Sequence, residues 1–198
     1  INGDITAHHV AATAITAAPA PPVLPGLGAT AGVCSAPGTA NGDAGTARFT
    51  APEGVAVDTQ SHDVIIADTG AHTIRRMTSI GVVSTFAGSG TPAVTDNTAL
   101  LAAFSSPADV VCDAAGNIFA VERGGHVVRK IDTGAAVTTL AGTASTNGHN
   151  DATGTAALFD TPSGVALING GADLLVADRT NNCVRHVVVS SKVVTTYA

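Results

Sequence analysis

Three pairs of oppositely charged residues recur along this chain with the same internal spacing. In each pair an arginine follows an acidic residue by seven positions, as in Asp68–Arg75, Glu122–Arg129 and Asp178–Arg185. A carboxylate beside a guanidinium could act as a general acid or base, or it could clamp two neighbouring strands through a charge-assisted hydrogen bond. A catalytic site needs a single constellation of side chains, whereas a structural clamp can be repeated. The repetition favours clamps, so we predict no catalytic residue and favour a protein that is not an enzyme.

The seven histidines are the next residues that could support chemistry, because converging imidazoles bind metal ions. His72 and His126 follow the acids of the first two pairs by four residues, but Asn182 takes this place after the third acid. Zinc requires three or four converging ligands, so we predict no metal site and no cofactor. The segment NGHNDATG at 147–154 offers several oxygen atoms but lacks the bidentate Glu of a calcium loop, which favours turn capping.

The three cysteines, Cys34, Cys112 and Cys183, form no CxxC motif. The sequence therefore predicts neither a zinc site nor a disulfide framework. Cys112 is expected to be a small buried apolar residue. Cys34 and Cys183 could pair across the fold, and the sequence leaves their redox state open.

Composition limits the partners that this chain could have. Nine basic residues against fifteen acidic ones give a formal net charge of −6, and only 3% of the residues are aromatic. Nucleic-acid binding needs clustered Lys and Arg, and single strands also need aromatic side chains for stacking, so no nucleic-acid partner is predicted. No run of about 18 apolar residues exists, so no membrane insertion is predicted. The scarcity of lysine and the bias towards Thr, Ala, Gly and Val suggest an extracellular or cell-surface location.

The charged pairs lie within a segment that occurs three times. Phe49, Phe104 and Phe159 recur at a spacing of 55 residues, and each is followed by Pro three residues later and by Val six residues later. Four short strands, A to D, are predicted after each Phe: A begins near the Val, B ends in the acid, C carries the Arg, and D ends before a Gly in the first two copies. Four-stranded repeats of roughly 40–50 residues are typical of β-propeller blades, and this unit is a little longer because the connection from D to the next A is long. We predict an all-β fold, a partial β-propeller of about three four-stranded blades at about 41–90, 91–145 and 146–198.

Residues 1–40 do not follow the repeat. Ala17–Gly26 is rich in Pro and Ala, and proline disfavours a central strand. Two interpretations stay open: an N-terminal arm, or the remnant of an incomplete preceding blade.

The repeated motifs resemble those of the NHL-repeat family of β-propellers. The resemblance is carried by PEGVAVD at 52–58, VIIADTGAHTIRRM at 64–77 and VVSTFAG at 82–88, and it extends in three copies over about residues 41–198. Asp109, Ile168 and Asn182 depart from the pattern of the first copy. The resemblance implies a ring with strand A at the centre and with the B–C turns on one face. Family members mostly bind proteins, RNA, sugars or small ligands, and a few related propellers are metal-dependent lyases or hydrolases.

Three blades are too few to close a propeller, which usually has four or more. An open arc leaves strand edges bare, and bare edges recruit other chains. The chain is therefore expected to be a fragment of a longer polypeptide, half of a two-chain ring, or a unit that polymerises; the absent initiator Met and the stop at Ala198 favour the fragment. Its partner is expected to be another protein or the remaining blades, with self-assembly possible.

The function predicted from these observations is that of a non-enzymatic module for protein or ligand binding or for assembly. Its contact face is predicted at the B–C turns, which carry Thr69, His72, Arg123, His126, Arg179 and Asn182. Loops on a rigid scaffold are the usual place for such a function. Two alternatives remain: part of a metal-dependent propeller lyase or hydrolase, and a structural subunit of an extracellular filament or coat.

Overall fold

A computed structural model describes residues 36–43 and 45–198 of the chain. Most of the predicted N-terminal arm or remnant, 1–40, lies outside these residues, and so does Cys34. The described part forms three antiparallel sheets joined by short loops and 3₁₀ turns, with no α-helix in it. The prediction of an all-β partial propeller is confirmed.

Each sheet is one blade, and four of its strands follow one another in chain order from the inner strand outwards. In the second blade, a fifth strand that precedes these four in the chain lies at the outer edge. The first blade contains β1 (Pro52–Val57), β2 (Val64–Asp68), β3 (Thr73–Met77) and β4 (Val83–Ala87). The second contains β5 (Asn97–Thr98), β6 (Pro107–Cys112), β7 (Ile118–Glu122), β8 (Val127–Ile131) and β9 (Ala136–Ala141). The third contains β10 (Pro162–Ile168), β11 (Asp173–Asp178), β12 (Cys183–Val188) and β13 (Val194–Thr196). The inner strands β1, β6 and β10 lie side by side, as in an arc around a common centre.

The predicted strands B agree best with the structure, since β2, β7 and β11 each end in the acid, as predicted. The strands A begin earlier than predicted, at the proline, because Pro52 already pairs with Asp68 and Pro107 with Glu122. Each inner pair also has a register shift just after the proline. The short strand β5 was not predicted. It pairs with the outer edge of β9 and makes the second blade five-stranded.

The apolar core lies between the blades. One buried cluster joins the first blade to the second and surrounds Phe104, and the other joins the second blade to the third and surrounds Phe159. Both phenylalanines are fully buried, as expected for residues that fill the gap between neighbouring repeats. Burying a Phe side chain stabilises a fold by about 1.5–3 kcal/mol. The packing of one blade on the next is thus a main source of stability.

The glycine that ends strand D is needed in two copies. Gly88 and Gly142 have φ angles of 104° and 98°, which residues with a side chain rarely adopt. A Cβ atom on Gly142 would lie 2.6 Å from the carbonyl oxygen of His126 and 3.2 Å from the ring of Phe159. The bare backbone therefore lets the next phenylalanine approach.

Among the residues described, no helix is long and apolar enough to cross a membrane.

Candidate functional site

All three predicted acid–arginine pairs form, and all six side chains are 0% exposed. The distance from Nη1 of the arginine to the carboxylate oxygen is 2.9 Å for Arg75–Asp68, 2.5 Å for Arg129–Glu122 and 3.0 Å for Arg185–Asp178. The antiparallel register explains the pairing: Arg75 lies opposite Ile66, two residues before Asp68 and therefore on the same face of the sheet. The pairs join strands B and C inside each blade, as the clamp interpretation requires.

The other oxygen of each acid binds the loop that leads into strand A. The backbone N–H of the residue after the phenylalanine donates to it, from Thr50 to Asp68 (2.6 Å), from Ser105 to Glu122 (2.6 Å) and from Asp160 to Asp178 (2.7 Å). Burial is the largest influence on the first two acids. It raises the pKa of Asp68 above its ordinary value and that of Glu122 to about 7, while the arginine and the backbone N–H act in the opposite direction.

The second guanidinium nitrogen binds the polar residue that lies eight positions before the phenylalanine. Nη2 donates to a side-chain oxygen of that residue, from Arg75 to Asn41 (2.9 Å), from Arg129 to Asp96 (2.9 Å) and from Arg185 to Asp151 (2.6 Å). From sequence, residues of this type close local turns. Here they also accept a hydrogen bond from a threonine hydroxyl of strand D. Each clamp therefore ties strands B, C and D to the loop before strand A.

Each clamp arginine also lies over the phenylalanine of its own repeat. The guanidinium carbon is 5.2 Å from the ring centre of Phe49, 5.1 Å from that of Phe104 and 5.1 Å from that of Phe159. A cation at this distance over an aromatic face is attracted to it. Each phenylalanine is thus held by its own blade on one side, and the other sides of Phe104 and Phe159 face the preceding blade.

Four of the six residues predicted for the contact face join neighbouring blades. Nδ1 of His72 accepts a hydrogen bond from the backbone N–H of Ser106 (3.0 Å), and Nδ1 of His126 accepts one from Thr161 (3.1 Å). The hydroxyl of Thr69 donates to the carbonyl of Pro107 (2.7 Å). These contacts run from one blade to the next.

The fourth of these residues, Arg123, pairs with Glu53 of the preceding blade at 2.5 Å. The remaining two, Arg179 and Asn182, are exposed in the third blade. Within the described residues, the side chain of Arg179 has no hydrogen-bond or ion-pair partner, and that of Asn182 reaches only the carbonyl of Thr180. Among the described residues, the B–C turns of the first two blades therefore contact a neighbouring blade through these side chains, whereas Arg179 and Asn182 of the third turn do not.

Two further contacts were not anticipated from the sequence. Asp109, which replaces the glycine of the first copy, accepts a hydrogen bond from the backbone N–H of Val165 (3.0 Å) and so joins two inner strands. Gly54 faces it, and a Cβ there would lie 2.4 Å from the Cα of Asp109. The second copy has Asp109 at the position where the first copy has Gly54. This difference between the copies is the sequence signal that could have revealed the contact.

Two depressions of about 380 Å³ each lie on the described surface. The first lies between the first and second blades and is lined by Asp58, Arg76, Phe86 and Asp132, among others. The second lies on the third blade, beside its B–C turn, and is mostly apolar. Its lining residues are Ala177, Asp178, Arg179, Asn182, Cys183, Val184 and Ala198.

The two described cysteines, Cys112 and Cys183, are free thiols. Cys112 is partly buried against the first interblade cluster, and burial raises the pKa of its thiol to about 12. The possible pairing of Cys183 with Cys34 stays a prediction, because Cys34 lies outside the described residues. In the described part of the chain, no group of three or more His, Cys, Asp or Glu side chains could hold a metal ion.

Comparison with known proteins agrees with this geometry. Residues 49–77 match the family model of the NHL repeat. No curated protein matches the sequence. The likeness to NHL-repeat propellers predicted from the motifs is confirmed.

Similar solved structures include an auxiliary nutrient binding protein from Bacteroides ovatus (20% identity, TM-score 0.58), which matches over 73% of this chain and 37% of its own. A gluconolactonase from Xanthomonas campestris (12%, TM-score 0.56) matches over 76% and 48%, respectively. Virginiamycin B lyase from Staphylococcus aureus (14%, TM-score 0.51) matches over 75% and 41%. The chain thus spans between about a third and a half of each of these structures, and the likeness concerns the fold alone.

Proposed function

Taking the chain as a partial β-propeller of NHL repeats, we propose that it is a non-enzymatic module for protein or ligand binding and for assembly. The observation that carries the proposal is the difference between the three B–C turns. Thr69, His72, Arg123 and His126 are used to join the described blades, whereas Arg179 and Asn182 of the third turn are exposed beside an apolar depression. A cationic side chain beside a concave apolar surface is suited to contact with another protein.

The repeated clamps support a module without catalytic chemistry. Their side chains are 0% exposed, and each acid is bound by an arginine and a backbone N–H, so the carboxylates are already engaged within the blades. A general acid or base must come within hydrogen-bond reach of its substrate. An extracellular or cell-surface location remains a prediction from the scarcity of lysine.

Site-specific photocrosslinking tests the proposed contact face. A photoreactive amino acid replaces Arg179 in one variant and Ser190 in the other; Ser190 is an exposed turn residue of the same blade. We expect a discrete crosslinked product from position 179 alone. Excess unlabelled protein should compete for it, and the Arg179→Ala/Asn182→Ala double variant should compete at least about tenfold less well, which corresponds to 1.4 kcal/mol. Equal products from both positions, or equal competition by the double variant, would contradict the proposal.

A further inference from the structure

The first blade presents a face that its counterparts bury. Val110 and Val165, on the inner strands of the second and third blades, are 1% and 8% exposed because the preceding blade covers them. The equivalent Val55 is 64% exposed, and Val57, two residues on, is 56% exposed. Phe49 is only partly buried, whereas Phe104 and Phe159 are fully buried. We call the surface formed by Phe49, Pro52, Val55 and Val57 the leading face.

The third blade presents the opposite face, also uncovered. In the first two blades, Ala67 and Val121 on strand B and Ile74 and Val128 on strand C are fully buried by the next blade. Their counterparts in the third blade are Ala177, which is exposed, and Val184, which is partly exposed. Together with Cys183 and Ala198 they line the apolar depression described above. We call this surface the trailing face.

The two faces match in the way that the internal interfaces match. Phe104 belongs to the same buried cluster as Ile74 and Ala87 of the preceding blade. Phe159 likewise shares a buried cluster with Val128 and Ala141 of the blade before it. Val184 and Ala198 are the corresponding residues of the trailing face. Phe49 already lies over its clamp arginine, as the two internal phenylalanines do.

The polar contact between blades can also be reproduced. The donors Ser106 and Thr161 have φ angles of 52° and 50°, and the acceptors His72 and His126 both have 57°. Ala51 on the leading side has a φ of 50°, and Asn182 on the trailing side has 53°. The backbone on each side is thus already in the conformation that the internal bonds use. The side-chain oxygen of Asn182 can accept the N–H of Ala51, as the histidines accept their donors.

We propose that the trailing face of one copy binds the leading face of a second copy, and that two copies close into one six-bladed ring. The inference rests on the proposed assembly function and names its partner. Two sets of the three described blades make six, which lies within the four to eight blades typical of closed propellers. Because the two faces are different surfaces, the contact is heterologous, and a ring with two such contacts leaves no free face.

The mass of the full chain in solution tests the proposal. Sedimentation equilibrium from about 1 μM to 1 mM should give twice the chain mass of 19.4 kDa at the upper concentrations. Val55→Glu on the leading face and Ala177→Glu on the trailing face each place a charge in an apolar contact. Each variant alone should raise the dissociation constant about 100-fold. Ser79→Glu and Ser190→Glu add the same charge to exposed turns of the same blades and should leave the mass unchanged.

Mixing the two monomeric variants separates this arrangement from any other dimer. A Val55→Glu copy keeps an intact trailing face, and an Ala177→Glu copy keeps an intact leading face, so the mixture should regain a dimer through one contact. A monomeric wild-type chain at 1 mM, a mixture that dimerises no more tightly than either variant alone, or a series of masses above the dimer would overturn the proposal. A monomer that still gives the specific crosslink to another protein from position 179 would overturn the ring alone and leave the binding function standing.

Discussion

The arginine at the centre of each clamp is the residue on which the polar contacts of its blade converge. In the second blade, Nη1 of Arg129 donates to Glu122 and to the carbonyl of Ala103. Its Nη2 donates to Asp96 and to the carbonyl of Thr95. Among the described atoms only Nε of this guanidinium lacks a partner. A planar group with donors in fixed directions can join several segments at once, which a lysine cannot do.

Removing this arginine should therefore be costly. Above pH 7, where Glu122 is ionised, Arg129→Met leaves this acid buried without its cation, and breaking a buried pair in this way costs about 3–5 kcal/mol of unfolding free energy. Arg123→Met is the matched control, because its partly exposed pair with Glu53 should be worth about 0–1 kcal/mol. Urea denaturation measures both. If the two variants lose the same stability, the clamp is not a stabilising element.

The acid of this clamp should make stability depend on pH. Burial raises the pKa of Glu122 from 4.5 to about 7, so the folded protein keeps a proton that the unfolded chain releases. The contribution of Glu122 to the free energy of unfolding is therefore greatest below pH 4.5 and falls as the pH rises towards 7. We expect the wild type to lose about 1–3 kcal/mol relative to Glu122→Gln between pH 4.5 and 7. Urea denaturation of both proteins across this range checks the sign, and parallel pH profiles would show that the acid stays ionised when folded.

Each interblade histidine joins two elements of neighbouring blades, the B–C turn of one blade and the loop before strand A of the next. His126→Ala removes the acceptor for the backbone N–H of Thr161 and should cost about 1–2 kcal/mol. Asn182→Ala changes the equivalent position of the third blade, where no interblade bond exists within the described residues, and should cost under about 0.5 kcal/mol. Chemical denaturation compares them. Equal losses would mean that the bond to Thr161 adds no stability.

The elements themselves differ in how well the sequence predicts them. The strands B and C and their acid–arginine pairs follow from alternation and from a spacing that recurs three times. Strand β5 was missed because Asn97 and Thr98 form no apolar pattern, and they pair only because the outer edge of β9 is free. The interblade role of His72 was also missed, since the bond needs a positive φ both there and at Ser106. Such backbone conformations leave little trace in residues other than glycine and asparagine.

At the scale of the whole molecule, the three blades differ in how many of their faces are covered. The second blade is packed on both sides, whereas the first and third blades each have one face that no other described blade covers. In a row of repeats, stability is about the sum of the repeats and of their nearest-neighbour contacts. The middle blade should therefore open last, and the outer blades should open by themselves at lower free energy.

Native-state hydrogen exchange tests this order. At about 1 μM, the amides of β7 and β8 should be the most protected, and those of β2 and β12 should exchange at least about tenfold faster, a difference of 1.4 kcal/mol. If two copies form a ring, the outer blades gain the missing neighbours, and their protection should rise to that of the middle blade at about 1 mM. The Val55→Glu/Ala177→Glu double variant should keep the graded pattern at both concentrations, because it has no face left for assembly. Uniform exchange in all three blades of this variant would mean that they unfold as a single unit and that the uncovered faces carry no energetic cost.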